Sequence, residues 1–130
     1  MNTQQVIQGG LRVGGLAVGS PIQLYAVSGL VASTTHTIAG GTPLKGEVNE
    51  VSTVANSGDA VTLLALQPGQ SQAVFNDGAN PLAVYPASVS YAIDGGSAGA
   101  AATLTNAKRA VFFCTAANII KSAQLGVASA

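Results

Sequence analysis

An all-β fold, a sandwich or barrel of short strands, is what this sequence predicts, and three observations predict it. Apolar runs of strand length, rich in Val, Ile, Thr, Phe and Tyr, follow one another from Asp59 to Gly126. Each run closes on a turn with readable chemistry, at the roughly 8–12-residue spacing that marks β-sandwiches and barrels. No segment holds the apolar period of a helix longer than about two turns.

The elements follow in order. Residues 1–20 carry glycine at positions 9, 10, 14, 15 and 19, and each such residue opposes a helix by roughly 1 kcal/mol relative to Ala. An extended N-terminal arm is expected there, ordered by lying on a neighbour through Leu11, Val13, Leu16 and Val18. Residues 21–130 then form a single β domain. Residues 21–27 alternate Ile22, Leu24 and Ala26 against Gln23, Tyr25 and Val27, the pattern of a half-buried strand. Residues 30–38 are richer in Ser and Thr and hold the sole histidine, His36. Gly40-Gly41-Thr42-Pro43 breaks the chain. Residues 47–54 could begin as a short helix, but Val48, Val51, Thr53 and Val54 are β-branched and favour a strand. Asn56-Ser57-Gly58-Asp59 is a turn.

Runs at 60–66, 71–75 and 82–85 come next, separated by Gln67-Pro68-Gly69-Gln70 and by residues 76–81. Residues 91–100 are the longest loop signal of the second half, and Asp94-Gly95 favours a tight turn because Gly tolerates positive φ. Residues 101–105, the turn 106–109 and runs at 110–115 and 118–125 complete the chain. The runs resemble one another only as successive hairpins do, and no period of 20–50 residues stands out.

Composition bounds the function. With 130 residues the chain suits one domain with one real core. Only 8% of residues are charged, against a usual ~25%. The net charge is zero and the mean hydropathy is +0.41. A neutral, charge-poor surface favours association, so other copies or a partner are expected to cover much of it. Five Lys and Arg in all argue against nucleic acid as the principal partner, which needs a clustered basic face. No run reaches the ~20 apolar residues of a membrane span. Met1-Asn2-Thr3-Gln4-Gln5 lacks the basic start of a secretion signal. The expectation is a protein made soluble that stays soluble or assembled, without a membrane partner.

Chemistry is sparse. Gly95-Gly96-Ser97-Ala98-Gly99 matches the nucleophile elbow by letter, but that motif needs a helix behind it and an acid and a histidine after the serine. His36 precedes it. One His, one Cys and five scattered carboxylates offer no zinc spacing, and Asp77 and Asp94 read as turn formers rather than calcium ligands. Gly40 to Gly46 lacks the G-K-[ST] order of a phosphate cradle. Cys114 alternates with Phe112 and reads as a small buried hydrophobe. Glu47 and Glu50 read as a solvated or subunit-pairing face rather than an acid–base pair. Phe112 and Phe113 point to opposite sheet faces on a regular strand. One fills the core while the other meets a second surface, and Phe112 is assigned with Glu47 and Glu50 to a subunit interface. No catalytic residue, metal, cofactor or small-molecule substrate is expected.

The run Val74-Phe75-Asn76-Asp77-Gly78-Ala79-Asn80-Pro81-Leu82-Ala83-Val84-Tyr85-Pro86-Ala87 resembles small β-structured head proteins of tailed bacteriophages. Asp94-Gly95-Gly96, Ala102-Thr103-Leu104, Lys108-Arg109-Ala110-Val111-Phe112 and the closing run at 119–124 extend the resemblance over roughly residues 48–127. These are capsid decoration (cement) proteins and head-fibre-like modules. The resemblance implies a non-enzymatic virion protein on the capsid exterior, assembled in the host cytoplasm, that clamps capsomers of the major capsid protein. It implies a homotrimer, or else a dimer. The fold expected is then an antiparallel, jelly-roll-like β-sandwich with a Gly-rich arm, and Leu11, Arg12, Val13 and Leu16 are assigned to shell contact. The alternative is a head- or tail-fibre module that binds host carbohydrate or receptor.

Overall fold

The computed structural model describes residues 23–125. Ten strands lie in that span: β1 (Gln23–Val31), β2 (Thr42–Pro43), β3 (Gly46–Thr53), β4 (Ala60–Thr62) and β5 (Ser71–Asn76). Then come β6 (Leu82–Tyr85), β7 (Ala92–Ile93), β8 (Ala102–Leu104), β9 (Lys108–Ala116) and β10 (Ile119–Leu125). One sheet runs β1-β3-β5-β9-β10-β7 and the other β2-β4-β6-β8. The described residues are all-β.

From β1 to β6 the strands alternate between the two sheets, and within each sheet they pair in parallel. The chain therefore winds through three stacked coils, a β-solenoid-like arrangement. In the first sheet Ala26 pairs with Val48 and Val48 with Ala73. In the second, Thr42 pairs with Val61 and Val61 with Val84. Winding stops after the third coil. There β9 covers β5, β8 covers β6, and the β9–β10 hairpin extends the first sheet, all antiparallel. The short β7 joins β10 in parallel.

This corrects the antiparallel, jelly-roll expectation. Turn chemistry was read as chain reversal, but the loops at 32–41, 54–59 and 77–81 carry the chain across to the other sheet. Each strand's partner then lies a full coil away, where no local signal marks it. The coils also differ in length, which hides the repeat. Most strands nonetheless fall where the apolar runs put them. Residues 60–66 are one exception, since pairing ends at Thr62 while Leu63 and Leu66 stay buried without a strand; β2 and β7 are others, lying in the stretches read as a breaker at 40–43 and a loop at 91–100.

The core lies between the sheets. Val51, Val74, Phe112 and Ile120 of the first sheet face Val61, Val84 and Leu104 of the second, all essentially buried. Each such side chain contributes about 1.5–3 kcal/mol by leaving water. Along β5, Gln72, Val74 and Asn76 are buried while Ser71, Ala73 and Phe75 are not, the period of two of a strand with one covered face.

Polar side chains pin the coils from inside. Gln72 donates from Nε2 to the Leu44 and Gly46 carbonyls and accepts from the Leu64 amide, all within 3.1 Å. Asn49 bridges both backbone groups of Gly46 and the Ala73 carbonyl of the next coil. Asn76 holds the Asn80 and Leu104 carbonyls and the Gly78 amide. Asn80 reaches back to Val54 and Ala55. At Gly78 a Cβ would stand 2.7 Å from the Val54 nitrogen, so only glycine lets the third coil's corner approach the second.

Candidate assembly surface

The outer face of the six-stranded sheet presents the alternate residues of β3, β5, β9 and β10. One row across it runs Glu50–Phe75–Arg109–Leu125 and the next Val48–Ala73–Val111–Ala123. Beyond these, Phe113 on β9 pairs with Ser71 and Lys121. The face is dominated by apolar groups, and Val48, Phe113 and Leu125 are 37, 43 and 53% exposed. Scattered apolar residues are ordinary on a surface; a contiguous set on one sheet face marks a contact site.

Charge on this face is concentrated in the first row. The Asp77 carboxyl, hydrogen-bonded to Glu50, raises the Glu50 pKa above the usual glutamate range; burial and the Asp77 charge add to the shift, while Arg109 opposes it. On the other side of Phe75, the Arg109 guanidinium lies over the ring with its central carbon 5.0 Å from the centroid, a cation–π contact. Its Nε is buried and has no hydrogen-bond partner among the described residues.

The residues assigned from sequence are distributed unevenly around this face. Glu50 lies on it and Glu47 is exposed near the start of β3. Phe112 does not reach it. At 2% exposure Phe112 is core, because it shares the inward parity of Ala110 and Cys114; it has no surface to offer a subunit, and the outward ring is Phe113. Leu11, Arg12, Val13, Leu16 and the arm at 1–20 lie outside the described residues. Phe75, Asp77 and Arg109 were not singled out as site residues. The alternation of Phe75 with buried Val74 could have placed it outward, but its register with Glu50 and Arg109 is a tertiary fact.

Elsewhere the polar clusters serve the fold. His36 Nε2 lies 3.0 Å from Asp59 Oδ1, and Asp59, 1% exposed, also accepts from the Asn56 amide. The His36 hydrogen bond holds the Asp59 carboxyl below its ordinary range, against the opposing effect of burial. The Tyr85 hydroxyl donates to the His36 carbonyl, so one clasp ties corners of all three coils. Ser97 of the elbow-like string is exposed in a turn, while Asp94 accepts from the Ser122 amide and hydroxyl. Cys114 is buried, and burial pushes its thiol pKa up. Among the described residues no three His, Cys, Asp or Glu side chains gather as a metal cage, and no helix is long and apolar enough to cross a membrane. Comparison with family models, curated proteins and solved structures finds no match.

Proposed function

We propose that this chain is a non-enzymatic structural protein that decorates the outside of a tailed-phage head and strengthens contacts between capsomers of the major capsid protein. The observation that carries the reading is an exposed apolar sheet face on a neutral, charge-poor chain. The phage-like string at 74–87 supports it, and that string builds the third coil from β5 through its corner into β6. Self-association belongs to the reading, as the homotrimer the resemblance implies or as a dimer. Leu11, Arg12, Val13 and Leu16 remain the proposed shell contacts. An element that binds only the assembled shell stabilises it by mass action, and many repeated sites multiply the gain.

The test is to mix purified protein with capsids stripped of decoration, count the copies bound, and follow the temperature of DNA release. Saturable binding at a symmetry-compatible stoichiometry, with a higher release temperature, is expected. If no shell is bound, the fibre module takes first place. The exposed Tyr25 and Phe113 rings would then be the surfaces to test against host carbohydrate.

A further inference from the structure

We infer that the outer face of the six-stranded sheet is the contact of a twofold dimer with a second copy of this chain. The axis runs parallel to β5 and above its outer face, between the facing sheets of the two copies, so that Glu50 of each copy meets Arg109 of the other. This rests on the self-association part of the reading above and is independent of any capsid. Of the two oligomers which that reading leaves open, the face selects the dimer.

The row Glu50–Phe75–Arg109 carries the inference. Its acid lies one strand to one side of Phe75 and its cation one strand to the other side, in register. Rotation by a half-turn about this axis exchanges β3 with β9. It sets Glu50 and its partner Asp77 against the guanidinium of the other copy, and Phe75 against Phe75. The acidic side of each row then meets the basic side of the other copy's row. Opposed potentials across a contact fix its register.

The remaining rows obey the same symmetry. Val48 comes to face Val111, with Ala73 facing Ala73 across the axis. Two residues before Val48 stands Gly46, and two after Val111 stands Phe113; the Tyr25 carbonyl and the Val27 side chain of β1 fill the space beside Gly46, so the half-exposed ring of each copy comes against β1 there. Isologous contacts require this kind of self-complementarity. Sheets packed face to face keep their strands within about 30° of each other, so the rows stay opposed. Four strands at about 4.8 Å spacing make a small face, and an interface of this size gives a weak dimer.

The experiment measures the mass of the full chain by sedimentation equilibrium from about 1 μM to 1 mM, a range that spans weak affinities. Glu50→Arg and Arg109→Glu are run alone, mixed, and combined in one chain, with thermal melts to confirm folding. The wild type is expected to approach twice 12.8 kDa at the upper end. Either reversal alone breaks two symmetry-related pairs and should weaken the dimer at least about a hundredfold. An equimolar mixture of the two variants restores both pairs and should recover a one-to-one dimer, as should the double variant. Phe113→Glu alters an exposed residue and should also yield a monomer. The inference is overturned by a wild type that stays monomeric or forms a trimer, by reversals that leave the mass unchanged, or by a mixture that stays monomeric. If a reversal variant does not fold, Phe113→Glu decides: a dimer that survives it sinks the inference.

Discussion

Between β1 and β6 every in-sheet pairing is parallel, whereas β8 and β9 pair antiparallel with the strands they cover and β9 with β10. The two regions hold their register by different means. In the coils, paired strands are separated by a full turn of winding, so a local turn cannot align them. Buried amides do that work: Asn49, Gln72 and Asn76 each bond backbone groups from more than one segment. In the cap, β9 and β10 are neighbours in sequence, and a tight turn with Asn118 at φ 62° sets their register. Ala107, ahead of β9, and Asp94, after β7, likewise adopt positive φ. Parallel stacking thus draws on satisfied interior polar groups, and antiparallel pairing on backbone geometry.

The largest expected effect breaks the first of these devices. Gln72→Leu takes away the side-chain partners of the Leu64 amide and the Leu44 carbonyl. Since an orphaned buried group costs about 1–3 kcal/mol, urea denaturation should show a loss of about 3 kcal/mol. A loss under about 1 kcal/mol would mean that apolar packing alone registers the coils.

A second test uses acid. The Asp59 pKa is lowered from 3.8, chiefly by its His36 hydrogen bond. A carboxylate with a lowered folded pKa contributes stability that is present above its unfolded pKa, about pH 4, and is lost as pH falls through the folded value. Asp59→Asn should therefore be less stable than the wild type at pH 6, and the gap should close below about pH 4. A gap independent of pH would remove the carboxylate from the clasp. Thermal melts of both proteins across that range give the answer.

The smallest effect belongs to the cap. Ala107 holds φ 61°, a conformation that costs an L-residue about 1–2 kcal/mol. Ala107→Gly relieves it, and the greater freedom of glycine in the unfolded chain offsets part of the gain. A net stabilisation of about 0.5 kcal/mol is expected in the same denaturation assay. Destabilisation would show that the Ala107 methyl packs rather than strains.

The legibility of this chain follows the same division. The hairpin strands at 110–115 and 118–125 and the alternation along β5 were readable because their determinants lie within a few residues of one another. So were the burial of Cys114 and the turn at Asp94-Gly95. The winding of β1 to β6 was not. A residue such as Val61 pairs with Thr42 and Val84, and nothing around Val61 names either one. Gln72 looks in sequence like a polar residue facing water, yet it is buried because Leu44, Gly46 and Leu64 converge on it.

The candidate surface divides likewise. Low charge pointed to association, and the sequence singled out Glu50. The opposition of Glu50 and Arg109 across Phe75 needed the register of three strands. Which of Phe112 and Phe113 faces outward needed the position of the second sheet, which covers one side of β9. Composition and local periodicity by themselves determined that the chain is β-rich and where most of its strands begin and end. Only the tertiary structure decided winding, register and face, because strand pairing satisfies the same backbone groups in either direction and long-range packing chooses between them.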